Sequence, residues 1–306
     1  MGKEPEVTWL DGELVPAAEA SVPLLTHTLH YGLGIFEGIR CYETADGDAA
    51  IFRLPEHMKR LVDSARICLL DLPYGVDELC QTAVDLVRRN NFRSCYIRPL
   101  VFLGAGRMGL GASDNPVRTA MSTWEWGAYL GEDGLKRGIR AKISSFSRGH
   151  VNSNMAKAKV VGQYVNSIFA KWEAKRLGFD EAILLDTNGY VSEASGENVF
   201  AVTNGAIWTP PAAGTILAGI TRDTVIELAR ERGYQVREER FTRDFLWTAD
   251  EAFLTGTAAE VTPIREIDHR QIGEGSAGEV TLELQSAYFA AVRGEDSKHE
   301  AWLTRI

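Results

Sequence analysis

Lys157 and Lys159 stand two residues apart in MAKAKVVGQY, residues 155–164. An amine held in a pocket can attack a carbonyl and join to it covalently. On a helix, residues two apart do not face each other, so at most one lysine would reach a site. On a strand both would face the same way, and the local residues leave both arrangements open. Glu193 and Glu197 bracket a glycine in VSEASGENVF. A carboxylate there could pair with a cationic ring nitrogen or sit in an exposed turn. Arg98 lies inside YIRPL, where a half-buried strand would oblige it to find a partner or a ligand carboxylate. Arg60 flanks an apolar helical stripe, a place where arginines are commonly solvated. GITRDT (219–224) leads a glycine into a helix start, with Thr221 as N-cap and Asp223 in the first turn. Such an end either binds an anion such as phosphate or is simply capped. TGTAAE (255–260) is a second donor-rich turn, small enough for a ligand to approach the backbone. GAGRMG (104–109) matches G-x-G-x-x-G, but LGASDNP follows, with Gly111 and Pro116, where a dinucleotide site needs a helix. It reads as a mobile glycine loop.

These residues need elements to place them. VTWLDGELVP is predicted as a hairpin about Asp11-Gly12, which favours a type I′ turn. GIFEGIRCYET reads as one strand and AAIFR as its partner. A helix follows with Pro55 in its first turn and an apolar stripe of Met58, Leu61, Val62, Ala65 and Leu69. VDELCQTAVDLVRRNN is a second amphipathic helix, and CYIRPLVFL and VRTAMSTWEW are strands. GAYLGEDGLKRG (127–138), glycine-rich and polar at its centre, reads as an inter-domain linker. Beyond it, AKISSFSR and EAILLD are strands separated by a helix, and VSEASGENVFAVTNGAIWTP is a meander turning at Asn204-Gly205. ITRDTVIELARERGY is a helix, EAFLTGTAAEVTPI a strand that breaks into a tight turn, and VTLELQSAYFAAV a closing helix. The expectation is two α+β domains, 1–126 and 139–306, joined by 127–138.

The 306 residues suit two cores. A net charge of −9 argues against a broad nucleic-acid or anionic-membrane surface, yet leaves room for a small basic pocket. Cys41, Cys68, Cys80 and Cys95 form no C-x-x-C pair and have no accompanying His/Cys cluster, so no metal site is expected and free thiols are. The opening residues have no apolar run of signal-peptide length, nothing later approaches a membrane span, and Glu6 breaks the lipidation pattern that Met1-Gly2 would begin. A cytoplasmic protein is expected.

Taken in order, HYGLGIFEGIRCY, HMKRL, YIRPL, WGAYLG, the lysine stretch, VSEASGENVF, GITRD and TGTAAEVTPI closely resemble the branched-chain amino acid aminotransferases. These belong to the fold-type IV enzymes that use pyridoxal 5′-phosphate, and the resemblance runs from WLDGELVP to GEGSAGEVT. In that pattern the lysine holding the cofactor is followed by a small residue three later and an aromatic one five later. Gly162 and Tyr164 fit Lys159; Val160 and Gly162 do not fit Lys157, which is left as an ordinary charge. The resemblance implies that Glu193 keeps the pyridine nitrogen protonated. It implies that Arg60, the backbone N–H groups of Ile220 and Thr221, and Thr257 hold the phosphate, and that Tyr164 bonds the phenolic oxygen. Lys159, once released, would move the proton between Cα and C4′. By the same resemblance Tyr96 and Thr257-Ala258 take the α-carboxylate and Arg98 the γ-carboxylate of glutamate. Tyr31, Phe36, Trp126, Tyr129 and Tyr164 form the apolar wall for valine, leucine or isoleucine.

The partners so implied are amino acids and 2-oxo acids, with a homo-oligomer, at least a dimer, completing the site. Val160-Val161, Gln163 and the GAGRMGLGASDNP loop depart from the family habit, with Arg107 expected near the substrate entrance. D-amino acid or (R)-amine transamination and aminodeoxychorismate lyase activity are the rivals on this fold. A non-catalytic cofactor-binding protein is the rival outside it.

Overall fold

The computed structural model describes residues 3–127 and 129–306. Met1 and Gly2, where the lipidation pattern begins, and Ala128, inside the 127–138 segment, lie outside the described residues. The chain divides into two units. One takes residues up to 126 together with 158–163 and 290–306; the other takes 127–157 and 164–289.

In the first unit, antiparallel strands run in the order Leu303–Arg305, Ala49–Phe52, Ile39–Glu43, Cys95–Leu103, Val117–Trp124, Val7–Leu10, Glu13–Pro16. Gly34–Phe36 pairs with the distal half of Cys95–Leu103. Asp11 and Gly12 both take positive φ, 48° and 99°, as a type I′ hairpin turn requires. The stretch read as one strand from Gly34 is two, because the chain leaves the ladder at Glu37-Gly38. Helices Leu54–Ile67 and Val76–Arg89 cover one face. Met58, Leu61 and Ala65 are buried with Leu79, Ala83, Leu86 and Val87 against Ile35, Ile39, Ile51, Ile97 and Met121. Each such large aliphatic side chain withdrawn from water contributes roughly 1.5–3 kcal/mol. Leu69 does not continue that stripe. The helix has ended, the backbone turns left-handed there at φ 55°, and the side chain is 92% exposed.

In the second unit the order is Val191–Ala194, Glu181–Leu185, Ile139–Ser147, Glu260–Ile267, Glu251–Gly256, Asn198–Thr203, Ala206–Thr209, Gln235–Glu238. Val191–Ala194 also pairs with Asn198–Thr203, so the first six strands close on themselves. Ile139–Ser147 runs parallel to both its neighbours, which requires crossovers; helix Tyr164–Arg176 makes the one to Glu181–Leu185. Segment 127–138 carries a short helix, Glu132–Arg137, between Gly131 and Gly138 at φ 80° and 85°, and groups with this unit. Helix and strand are mixed in both units, the α+β content expected. No helix among the described residues is long and apolar enough to cross a membrane.

Candidate active site

The two lysines belong to different units. Lys159 lies in neither helix nor named strand; its carbonyl accepts the Phe36 N–H at 3.0 Å, and Val160 bridges Ile35. Three residues on, Gly162 donates to the Gly32 carbonyl at 3.0 Å. A Cβ at Gly162 would stand 3.1 Å from that oxygen, which explains why a small residue is needed there. Val160 is buried in the core of this unit, a packing role for one of the bulkier residues behind the lysine. The Lys159 ammonium sits 4.8 Å from the Phe36 ring centroid, and the Lys159 backbone N–H donates to the Ser64 hydroxyl.

The same Phe36 ring carries Arg98 at 4.7 Å, and the Arg98 guanidinium also lies over Tyr96 (5.3 Å) and Trp124 (5.5 Å). Trp126 meets Tyr96 edge-on at 4.6 Å, closing an aromatic cluster around the cation. The buried Arg98 Nε has no hydrogen-bond partner among the described residues. A cation positioned by ring faces keeps donors available for a carboxylate. Tyr31 ends a short helix and packs on His27 at 4.6 Å, half exposed. Sequence reasoning missed Trp124, the last residue of its strand, although its two-residue spacing from Trp126 in VRTAMSTWEW was a visible signal.

Arg60 is not a solvated arginine. Its Nε and Nη2 donate to the two oxygens of Glu37 at 2.6 and 2.9 Å, and His57 Nδ1 donates to Glu37 Oε2 at 2.8 Å. Burial alone would raise the Glu37 pKa, but the Arg60 charge and the His57 and Arg60 hydrogen bonds hold it well below the usual carboxylate range. Burial outweighs Glu37 at His57 and lowers its pKa, so the ring is neutral and carries its proton on Nδ1.

In the second unit Glu193 projects from Val191–Ala194. It accepts the Leu217 N–H at 3.0 Å and lies 3.1 Å from Arg148 Nε and 3.5 Å from Asn198 Nδ2. Arg148 is buried and also binds Ser167 Oγ and the Ala194 carbonyl at 2.8 and 2.6 Å. Glu197, the other glutamate of VSEASGENVF, points elsewhere. It is buried, and burial, reinforced by the Glu181 charge, raises its pKa above the usual carboxylate range.

Thr221 does not cap the following helix. Gly219 is the N-cap and, as a glycine, provides no side-chain cap, and Thr221 is the second helical residue, buried beside Ile220. Asn198 supplies the reason for the glycine, since its Oδ1 would be 2.1 Å from a Cβ at Gly219. An uncapped first turn leaves N–H groups and the positive end of the helix dipole for an anion. Thr257 and Ala258 form the turn of the hairpin Glu251–Gly256 to Glu260–Ile267, closed by the Gly256–Glu260 pair. Tyr164 opens helix Tyr164–Arg176, and Tyr129 lies 5.2 Å under Lys171.

Lys157 is more than an ordinary charge, contrary to its reading in the sequence. Its ammonium donates to the carbonyls of Ala212, Gly214 and Ile216, stapling the loop before Gly219. The GAGRMG loop is pinned by Asn115, which accepts the Arg107 N–H at 2.8 Å and donates to the Arg107 carbonyl, and no helix follows it. The four cysteines are unpaired.

The amino-transferase class IV family profile matches residues 34–267. The branched-chain-amino-acid aminotransferase of Pseudomonas aeruginosa is 51% identical over 300 residues, 98% of this chain and 97% of that one. A crystal structure of the T.th. branched-chain amino acid aminotransferase with pyridoxamine 5′-phosphate is similar at a TM-score of 0.95 and 49% identity, covering 99% of both chains. The branched-chain amino acid aminotransferase of Thermobaculum terrenum, solved in its PLP-bound holo form, gives 0.91 and 36%, covering 99% of this chain and 98% of that one.

Proposed function

The chain belongs to the class IV aminotransferases, and from that premise we infer that it exchanges the amino group between L-branched-chain amino acids and 2-oxoglutarate, using pyridoxal 5′-phosphate. The observation that carries this reading is the Phe36 ring shared by Lys159 and Arg98, a reactive amine and a carboxylate-binding cation in one aromatic cluster.

The residues fit the cofactor. An uncapped helix start at Gly219 suits a phosphate, and a carboxylate held by Leu217 and Arg148 suits a protonated ring nitrogen. When bound, pyridoxal phosphate supplies an aldehyde for the amino group and an electron sink for the charge left at Cα. Lys159 Nζ would hold it covalently and, once released, take the proton from substrate Cα. Glu193 would keep the ring nitrogen charged. Arg60, the N–H groups of Ile220 and Thr221, and Thr257 would hold the phosphate; Tyr164 would donate to the phenolic oxygen.

Tyr96 and the Thr257-Ala258 turn would receive the α-carboxylate. Arg98, whose Nε has no hydrogen-bond partner among the described residues, would take the second carboxylate of glutamate, while Tyr31, Phe36, Trp126, Tyr129 and Tyr164 would line the space for an aliphatic side chain. Gly38 bears directly on this assignment. A Cβ there would stand 1.8 Å from the Tyr96 hydroxyl, so Gly38→Ala must displace that ring. Such misplacement is expected to lower kcat/KM for leucine by about 10²-fold. Unchanged steady-state kinetics would remove Tyr96 from the substrate site.

The purified protein should be yellow, and its visible absorption should change on adding L-leucine or L-glutamate. A donor panel of L-branched, L-aromatic and D-amino acids and simple amines, with 2-oxoglutarate as acceptor, tests the substrate class. Activity confined to D-amino acids or amines would overturn it. A second copy of the chain is the proposed partner. Val165, Ile168, Phe169 and Trp172 form an exposed stripe on helix Tyr164–Arg176, extended by Phe146 stacked on Phe169. Light scattering should give at least twice the chain mass, falling to one chain in Phe169→Glu/Trp172→Glu; a monomeric native protein would refute the pairing.

A further inference from the structure

Phe36, Glu37 and Gly38 are consecutive, and each serves a different residue of the site. Phe36 lies under Lys159 and Arg98, Glu37 grips Arg60, and Gly38 makes room for the Tyr96 hydroxyl. Their placement requires the break in the strand, where the Glu37 N–H bonds to the Pro99 carbonyl at 3.0 Å. The Glu37 carboxylate is fully enclosed. Oε1 accepts from Arg60 Nε; Oε2 accepts from Arg60 Nη2, His57 Nδ1 and, at 3.2 Å, the Gly38 N–H. The carboxylate is thus held at both oxygens, by one donor at Oε1 and three at Oε2.

Stability alone does not account for this arrangement. A buried ion pair with a third polar partner carries a desolvation cost that well-packed apolar residues of similar volume would avoid. What the ionic arrangement supplies is direction. A side-on, two-point grip on the planar guanidinium fixes its plane, whereas an arginine at the edge of a helix otherwise samples many rotamers. His57, one helical turn before Arg60, fixes Glu37 in turn.

We propose that Glu37, braced by His57, is a positioning residue that orients Arg60 for the phosphate of the cofactor. The proposal rests on the reading of Arg60 as a phosphate ligand, and it adds a residue that never touches the cofactor. Its signature is a loss confined to the phosphate end.

The test titrates the full-length protein, stripped of cofactor, with pyridoxal phosphate and with pyridoxal, which lacks the phosphate. Glu37→Gln keeps the volume and removes the charge. It should weaken pyridoxal phosphate about 10-fold or more, the scale of losing a group that orients a ligand-binding residue, and leave pyridoxal unchanged. In an Arg60→Met background the same change should add little further loss. Equal weakening of both ligands, or no weakening, would overturn the role of Glu37 while Arg60→Met still lowers the preference for the phosphorylated form. If Arg60→Met leaves that preference intact, the phosphate reading of Arg60 fails and the proposal fails with it. Should Glu37→Gln not fold, Glu37→Asp retains the charge but withdraws the carboxylate by one methylene. Read in the same way, it decides the matter.

Discussion

Lys159→Ala is expected to abolish the covalent attachment of the cofactor and with it transamination, whereas Lys157→Ala keeps both. Removing the general base alone should cost about 10²–10⁴-fold in rate, and removing the attachment point adds to that. The contrast is sharp because the two lysines have different surroundings. Lys159 is fixed through its backbone to Phe36 and Ser64, with its ammonium over the Phe36 ring. Lys157 donates its charge to three carbonyls of the 212–216 loop, so its loss should loosen that loop and lower thermal stability without removing the reactive amine. Borohydride reduction followed by peptide mass spectrometry reads the outcome directly. The cofactor should be found on Lys159 in the native protein and in Lys157→Ala; finding it on Lys157 would refute the assignment.

Glu193→Gln should have the next largest effect, a fall in kcat of about 10²–10³-fold, the scale seen when a preorganised electrostatic partner is removed. Glutamine can still accept the Leu217 N–H, so the loop leading to Gly219 keeps that contact. It cannot carry the charge that stabilises a protonated ring nitrogen. The change also leaves the buried Arg148 without its carboxylate, and breaking such a pair costs about 3–5 kcal/mol when a charge remains behind. A lower melting temperature is therefore expected alongside lower activity. Glu193→Asp, which retains the charge, should recover part of both. Near-native kcat in Glu193→Gln would exclude Glu193 as the partner of the ring nitrogen.

Where the sequence could be read and where it could not follows from the range of the forces involved. The turns at Asp11-Gly12 and Asn204-Gly205 were legible because left-handed backbone is a property of the residues occupying it. Helix Leu54–Ile67 was legible from Pro55 and the apolar spacing of Met58, Leu61 and Ala65. Leu69 misled because periodicity does not show where a helix stops. Thr221 misled because a threonine near a helix start resembles a cap, while the true cap, Gly219, is selected by the distant Asn198. The strand break at Glu37 had one visible signal, a charge within an apolar run, but its partners lie 20 and 23 residues onward.

The residue order by itself determined the family, the α+β content and which lysine fits the cofactor pattern, because those rest on motifs read along the chain. Tertiary structure alone decided how each motif is held. Glu37, held by His57, grips Arg60, Arg148 pairs with Glu193, Trp124 joins the cluster around Arg98, and Lys157 staples a loop. Each of these is a polar or aromatic contact between residues far apart in sequence. A buried charge or hydrogen-bonding group must find its partner wherever the fold brings one, and no local spacing records that choice.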